Sequence, residues 1–153
     1  KSGAAVAMWE DILHIRRAKQ GRPLESVRRI VTRPYPGFPT DMQSQIMSLL
    51  SFADGRSVIK ENIFENRFMI VDELVKTGAD ITVSGKNAIV NGTGHLCGAE
   101  LTARDLRGGA ALVLAALGAE GFSSIDGYSH IKRGYESLVY NLKDLGASII
   151  ESV

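Results

Sequence analysis

The chain has 153 residues, enough for one ordinary domain whose core needs neither disulfides nor a metal to hold it. Eighteen Lys plus Arg stand against 17 Asp plus Glu, and a net charge of +1 argues against a dedicated nucleic-acid binder, though not against a local basic site. The hydrophobic share of 44% argues against disorder, and no apolar run approaches the roughly 20 residues needed to span a bilayer, so no membrane partner is expected.

The first predicted elements are two strands, Ala5 to Trp9 and Ile12 to Ile15, turned by Asp11. The rigid string Pro34-Tyr35-Pro36-Gly37-Phe38-Pro39 then leads into Thr40-Asp41-Met42, which opens an amphipathic helix with Met42, Ile46, Leu49 and Leu50 facing inward. Gly55 closes that run and a strand follows over Ser57 to Lys60. Asn66-Arg67 opens the next helix, with Phe68, Val71, Leu74 and Val75 on one stripe and Gly78 as the left-handed stop. A strand over Ile81 to Val83 and a hairpin around Gly85-Lys86-Asn87 complete this stretch.

The same order then recurs. Asp105 caps a helix running through Leu112, Val113 and Leu117, Gly121 closes it, and Ser123 to Asp126 form a strand. Lys132-Arg133 opens a helix carrying Tyr135, Leu138, Leu142 and Leu145, and Ile149 to Val153 read as a strand. Arg67 and Arg133 each lie 12 residues after the matching glycine, Gly55 or Gly121. The tripeptides Ser2-Gly3-Ala4, Thr77-Gly78-Ala79 and Leu145-Gly146-Ala147 echo one another ahead of strand-like runs. The organisation expected is therefore a repeated unit of strand, helix, strand, helix, strand, strand. Residues 27–91 hold one complete copy, residues 1–20 the end of a preceding copy, and residues 99–153 a further copy without its last strand. The chain opens Lys1-Ser2-Gly3-Ala4 without an initiator Met, and a repeat out of phase with the chain ends is what cutting a longer protein produces.

Several residues could carry chemistry. Asp41 at a helix start is either an N-cap or an anionic acceptor for a ligand hydroxyl. Arg67, Arg107 and Arg133 are solvated, or paired with Glu65, Asp105 or Glu136, or else gathered on a phosphate or carboxylate ligand. Cys97 is the single cysteine, so no intrachain disulfide forms; a reducing compartment fits, and a small turn or strand residue is the favoured reading over a nucleophile. His14, His95 and His130 lack metal-ligand spacing, and Gly92-Thr93-Gly94 lacks the full dinucleotide fingerprint.

Tyr35-Pro36-Gly37-Phe38-Pro39-Thr40-Asp41-Met42-Gln43, Phe64-Glu65-Asn66-Arg67-Phe68, Asp105-Leu106-Arg107 and His130-Ile131-Lys132-Arg133-Gly134-Tyr135-Glu136 occur in that order. Together they resemble the C-terminal part of the UDP-N-acetylglucosamine 1-carboxyvinyltransferases, a family of enolpyruvyl transferases. The resemblance implies an α/β (α+β) fold, an inside-out barrel of βαβαββ units. It also implies transfer of the enolpyruvyl group of phosphoenolpyruvate to the 3-hydroxyl of UDP-N-acetylglucosamine, in the bacterial cytoplasm, as the first committed step of peptidoglycan synthesis. By the same resemblance, Asp41 meets the sugar hydroxyl, the backbone of Ile63 contacts the UDP-sugar, Arg133 meets phosphoenolpyruvate, and Arg67 and Arg107 support them electrostatically. No metal or other cofactor is implied. The family's catalytic cysteine or aspartate is not matched by Cys97, its N-terminal lysine-asparagine pair is absent, and Lys132 stands where Asp is common. One wall of a cleft, inactive alone, is the expectation, with the rest of the enzyme as partner and a homodimer of the fragment as a further one. The alternatives are a non-catalytic UDP-sugar-binding module of the same fold and a fragment of the shikimate-type transferase.

Overall fold

The computed structural model describes residues 4–17 and 24–152. Strands β1 (Ala4–Trp9) and β2 (Ile12–Arg17) form an antiparallel hairpin, with Met8 opposite Leu13 and Trp9 opposite Ile12. Gly3, in the first tripeptide echo, lies outside the described residues.

A five-stranded sheet forms the centre of the fold. Its strands are β3 (Leu24–Glu25), β4 (Ile30–Val31), β5 (Ala53–Lys60), β6 (Asp80–Ser84) and β7 (Asn87–Thr93), in the order β3-β5-β7-β6 with β4 also beside β5. β3 and β4 run parallel to β5, whereas β5–β7 and β6–β7 are antiparallel. The two-residue turn Gly85-Lys86 sets the β6–β7 register, and Gly85 supplies a φ of 54° that most side chains resist.

Helix α1 (Gln43–Ser51) follows a 3-10 turn at Thr40–Met42, and α2 (Val71–Lys76) follows another at Arg67–Ile70. The second stretch adds β8 (Glu100–Thr102), α3 (Leu106–Gly118), β9 (Ser124–Asp126), α4 (Tyr128–Lys132) and α5 (Leu138–Asp144). β8 and β9 pair in parallel. One core joins Met47 and Leu50 of α1, Ile59 and Val90 of the sheet, Leu74 of α2, and Leu101, Ala111, Leu112 and Ala115 of the second stretch. A smaller cluster places Ala103, Val113 and Ile131 against Leu138 and Leu142. Among the described residues no helix is long and apolar enough to cross a membrane.

Several expectations need correction. Gly55 does not close α1, which ends at Ser51; it lies within β5, which starts already at Ala53. Met42 and Leu49 are exposed, and Met47 takes the buried place. The reason is twofold: Met42 belongs to the 3-10 turn, which advances the phase, and α1 buries a small polar face as well as an apolar one. Ser44, Ser48 and Ser51 are buried, and Ser48 Oγ donates to the Ala111 carbonyl of α3 at 2.9 Å, which lets two backbones approach closely. Val75 and Leu117, expected on the inner stripes of α2 and α3, are also half-exposed. Leu145 is exposed as well, and Arg133 ends α4 instead of opening the following helix, which starts only at Leu138. Residues 147–152 form no strand, for they find no neighbouring strand to bond among the described residues.

Candidate active site

Pro39 lies in extended backbone and hands the chain to the 3-10 turn that carries Asp41. The Asp41 side chain caps no helix; the N-cap reading fails there, while Asp105 does cap α3 by accepting from Arg107 N and Gly108 N at 3.0 and 2.9 Å. Asp41 Oδ1 instead lies 2.5 Å from Arg107 Nε and 3.5 Å from Arg67 Nη2. Neither arginine takes the partner expected from its sequence neighbours. The packing of α1 on α3 brings Asp41 to Arg107, and the 3-10 turn at residue 67, which also touches α3, brings in Arg67.

The three groups sit in different environments. The Asp41 side chain is 57% exposed and that of Arg107 is 39% exposed, but that of Arg67 is only 9% exposed. Arg67 lies with its guanidinium carbon 4.3 Å from the centre of the Phe64 ring. Its buried Nε has no hydrogen-bond partner among the described residues, and Arg107 Nε, though close to Asp41, likewise makes no well-aligned hydrogen bond. The close Asp41 carboxylate holds the Arg107 guanidinium above its ordinary value against the opposing pull of burial, and Asp105 and Tyr135 add longer-range attraction. An exposed carboxylate between two guanidinium groups offers both a hydrogen-bond acceptor and fixed positive charge, a combination suited to a ligand that carries a hydroxyl and an anion.

Arg133 is exposed at the end of α4 and joins no ion pair among the described residues. Ile63 is half-exposed, and its N–H donates to Glu61 Oε1 at 2.7 Å. A groove of about 330 Å³ is lined by Ile63, Phe64, Asn66, Arg67 and Lys86. Cys97 is an exposed residue in an isolated bridge to Glu120, and the described residues hold no group of His, Cys, Asp and Glu that could bind a metal. The hydrogen-bonding role of Glu61 escaped the sequence reading. Its only signal was a glutamate immediately after a strand, at a point where burial is unexpected.

The family model described as EPSP synthase (3-phosphoshikimate 1-carboxyvinyltransferase) matches residues 1–142. The chain belongs to that family. Within it, the chain is 55% identical over 126 residues to UDP-N-acetylglucosamine 1-carboxyvinyltransferase 2 of Caldanaerobacter subterraneus, covering 82% of this chain and 30% of that protein. It is 52% identical over 147 residues to UDP-N-acetylglucosamine 1-carboxyvinyltransferase of Campylobacter lari, covering 96% and 34%. In structure it resembles the enolpyruvyl transferase NikO from Streptomyces tendae, with a TM-score of 0.86, 31% identity, and coverage of 99% of this chain and 34% of that one. EPSP synthase from Acinetobacter baumannii shares the fold, with a TM-score of 0.76 at 18% identity. The chain thus spans about a third of the length of these two relatives, and its α+β architecture is that of an enolpyruvyl transferase segment.

Proposed function

We propose that this chain supplies one wall of the active-site cleft of a UDP-N-acetylglucosamine 1-carboxyvinyltransferase and is inactive by itself. The observation that carries the reading is Asp41 held at the surface between Arg67 and Arg107, in a chain about half identical to enzymes of that name. In the complete enzyme the sugar 3-oxygen forms a bond to C2 of phosphoenolpyruvate while its proton passes to Asp41, and C3 takes up a proton from an acid on the remaining part of the enzyme, to which the proton later lost from C3 returns. Loss of a proton from C3 then re-forms the double bond as phosphate departs. Both arginines address Asp41 Oδ1, leaving Oδ2 without an ion-pair partner among the described residues and able to meet the hydroxyl. Arg67 and Arg107, each with a buried Nε that lacks a hydrogen-bond partner among the described residues, supply fixed positive charge to an anionic intermediate. Arg133, exposed and unpaired among the described residues, meets phosphoenolpyruvate when the remaining domain closes over it. Ile63 faces the UDP-sugar through its backbone.

The proposal extends to organisation. Residues 27–91 are a full βαβαββ unit, residues 1–20 end a preceding unit, and residues 99–153 begin a further one. The enzyme acts in the bacterial cytoplasm at the first committed step of peptidoglycan synthesis, and its other partner is the rest of the polypeptide. The test is Asp41→Ala in the full-length enzyme: kcat falls by far more than tenfold with the fold intact, whereas a loss under about tenfold, roughly 1.4 kcal/mol of barrier, contradicts a direct role. Arg133→Ala raises KM for phosphoenolpyruvate; an unchanged KM removes Arg133 from the site. Ordinary phosphate release by the purified 153-residue chain would overturn the half-site reading.

A further inference from the structure

Glu61 directly follows β5, and the whole residue is 4% exposed. Its carboxylate accepts four hydrogen bonds. Oε1 takes them from Thr32 Oγ1 and Ile63 N, both at 2.7 Å, and from Phe64 N at 3.0 Å; Oε2 takes one from Thr40 Oγ1 at 2.9 Å. No Lys or Arg pairs with it among the described residues. Burying a carboxylate is costly unless such bonds compensate, and a merely structural junction has cheaper neutral solutions. Burial pushes the Glu61 carboxyl up, but the bonds from Thr32, Phe64, Ile63 and Thr40 together outweigh it and hold the group below its ordinary value.

What these donors belong to is informative. Thr40 is the residue before Asp41. Ile63 and Phe64 line the groove of about 330 Å³, and the Phe64 ring carries the Arg67 guanidinium. Thr32 Oγ1 in turn accepts from Asn62 N at 2.9 Å, so the loop after β5 is tied to β4's end at two points. One buried side chain therefore sets the separation between Asp41 and the loop bearing Ile63, Phe64 and Arg67. We propose that Glu61 is a positioning residue that fixes the hydroxyl acceptor and the groove-lining loop at the spacing a nucleotide sugar requires. It touches neither substrate and acts through Thr40, Ile63 and Phe64. This inference rests on the function proposed above.

The test is steady-state kinetics of phosphate release in the full-length enzyme, with UDP-N-acetylglucosamine and phosphoenolpyruvate varied separately. Glu61→Ala raises KM for the nucleotide sugar about tenfold or more and leaves that for phosphoenolpyruvate within about twofold. Glu61→Gln restores the sugar KM to within about threefold, because its Oε1 still accepts from both backbone N–H groups and its amide donates to a rotated Thr40 hydroxyl. Should Glu61→Ala fail to fold, Thr40→Val, which removes only the Oε2 bond, carries the test with an expected rise of about threefold in the sugar KM alone. An unchanged sugar KM, equal rises for both substrates, or no rescue by glutamine overturns the proposal. Asp41→Ala run in parallel separates the two claims. If that variant keeps its kcat, the functional reading fails; if it is inactive while Glu61→Ala is silent, only the role of Glu61 fails.

Discussion

Residues 24–93 and residues 96–152 run through similar elements in similar order, yet they bury very different amounts of themselves. In the first region Met47, Leu50, Ile59, Leu74 and Val90 are all at or below 1% exposed, beneath a five-stranded sheet. In the second, β8 and β9 form a two-stranded sheet, α5 has no buried residue, and Phe122, Leu145 and Ile150 stand exposed. The exceptions are Leu96, Leu101 of β8 and Ala111, Leu112 and Ala115 of α3, which complete the first region's core, and Ile131 of α4, which is buried in the smaller cluster. The lesson is that a similar order of elements does not bring similar burial. A unit buries its apolar face only where neighbouring strands and helices exist to cover it, and Phe122, Leu145 and Ile150 of the second region lack such cover among the described residues. The same logic supports the expectation that the isolated chain dimerises; sedimentation as a clean monomer at high concentration would contradict it.

The largest expected effect sharpens this contrast. Leu50→Ala, in the core shared by α1 and α3, should cost about 2–5 kcal/mol, whereas Leu142→Ala, half-buried beside the smaller cluster, should cost well under half as much. Urea denaturation of the two variants checks this, and equal losses would break the comparison. Gly109→Ala comes next. A Cβ there would lie 2.5 Å from Ile131 Cγ1 and 3.0 Å from Ala103 Cβ, so about 1–3 kcal/mol of overpacking is expected, felt first where α3 meets α4. Hydrogen exchange should show faster opening of α4 than of α1 in that variant. Removing the N-cap of α3 by Asp105→Ala should cost about 1 kcal/mol, read as a lower urea midpoint at unchanged slope.

A last, smaller effect concerns acid. Glu73 of α2 accepts from Thr102 N of β8 at 2.9 Å and from Lys76 Nζ at 2.7 Å, joining the two regions. Burial pushes its carboxyl up, but the Lys76 and Thr102 bonds, with the charges of Lys76 and Arg104, bring it below 4.5. A carboxyl depressed in the folded state stabilises the fold above its unfolded value, and that contribution is lost as pH falls through the lower folded value. Stability should therefore decline as pH drops below about 4.5, and Glu73→Gln should flatten that decline. Thermal melting at a series of pH values provides the check; an unchanged acid profile in Glu73→Gln would remove Glu73 from the account.

Much of the local structure was legible because its causes are local. Gly78 and Gly146 stop helices with φ of 89° and 93°, and Gly85 turns a hairpin, since few other residues accept those angles cheaply. Asp105 caps α3 through N–H groups two and three residues on. The Pro-rich string delivering Asp41, and the motifs that resemble an enolpyruvyl transferase, were also readable in one dimension. The phase of α1 was not, because burial of Ser44, Ser48 and Ser51 depends on how closely α3 approaches, and no periodicity of apolar residues encodes that distance. Nor was the role of Asp41. Its sequence neighbours offer a helix start to cap, whereas its actual partners, Arg67 and Arg107, come from other elements. By itself, then, the sequence determined where the chain turns, caps and stops, and which family's motifs it carries. Only the tertiary structure decided that α1 and α3 pack together, that Asp41 lies between two arginines, and that Glu61 is buried where four donors converge. Those outcomes depend on contacts between segments distant in sequence, and such contacts exist only once the core has formed.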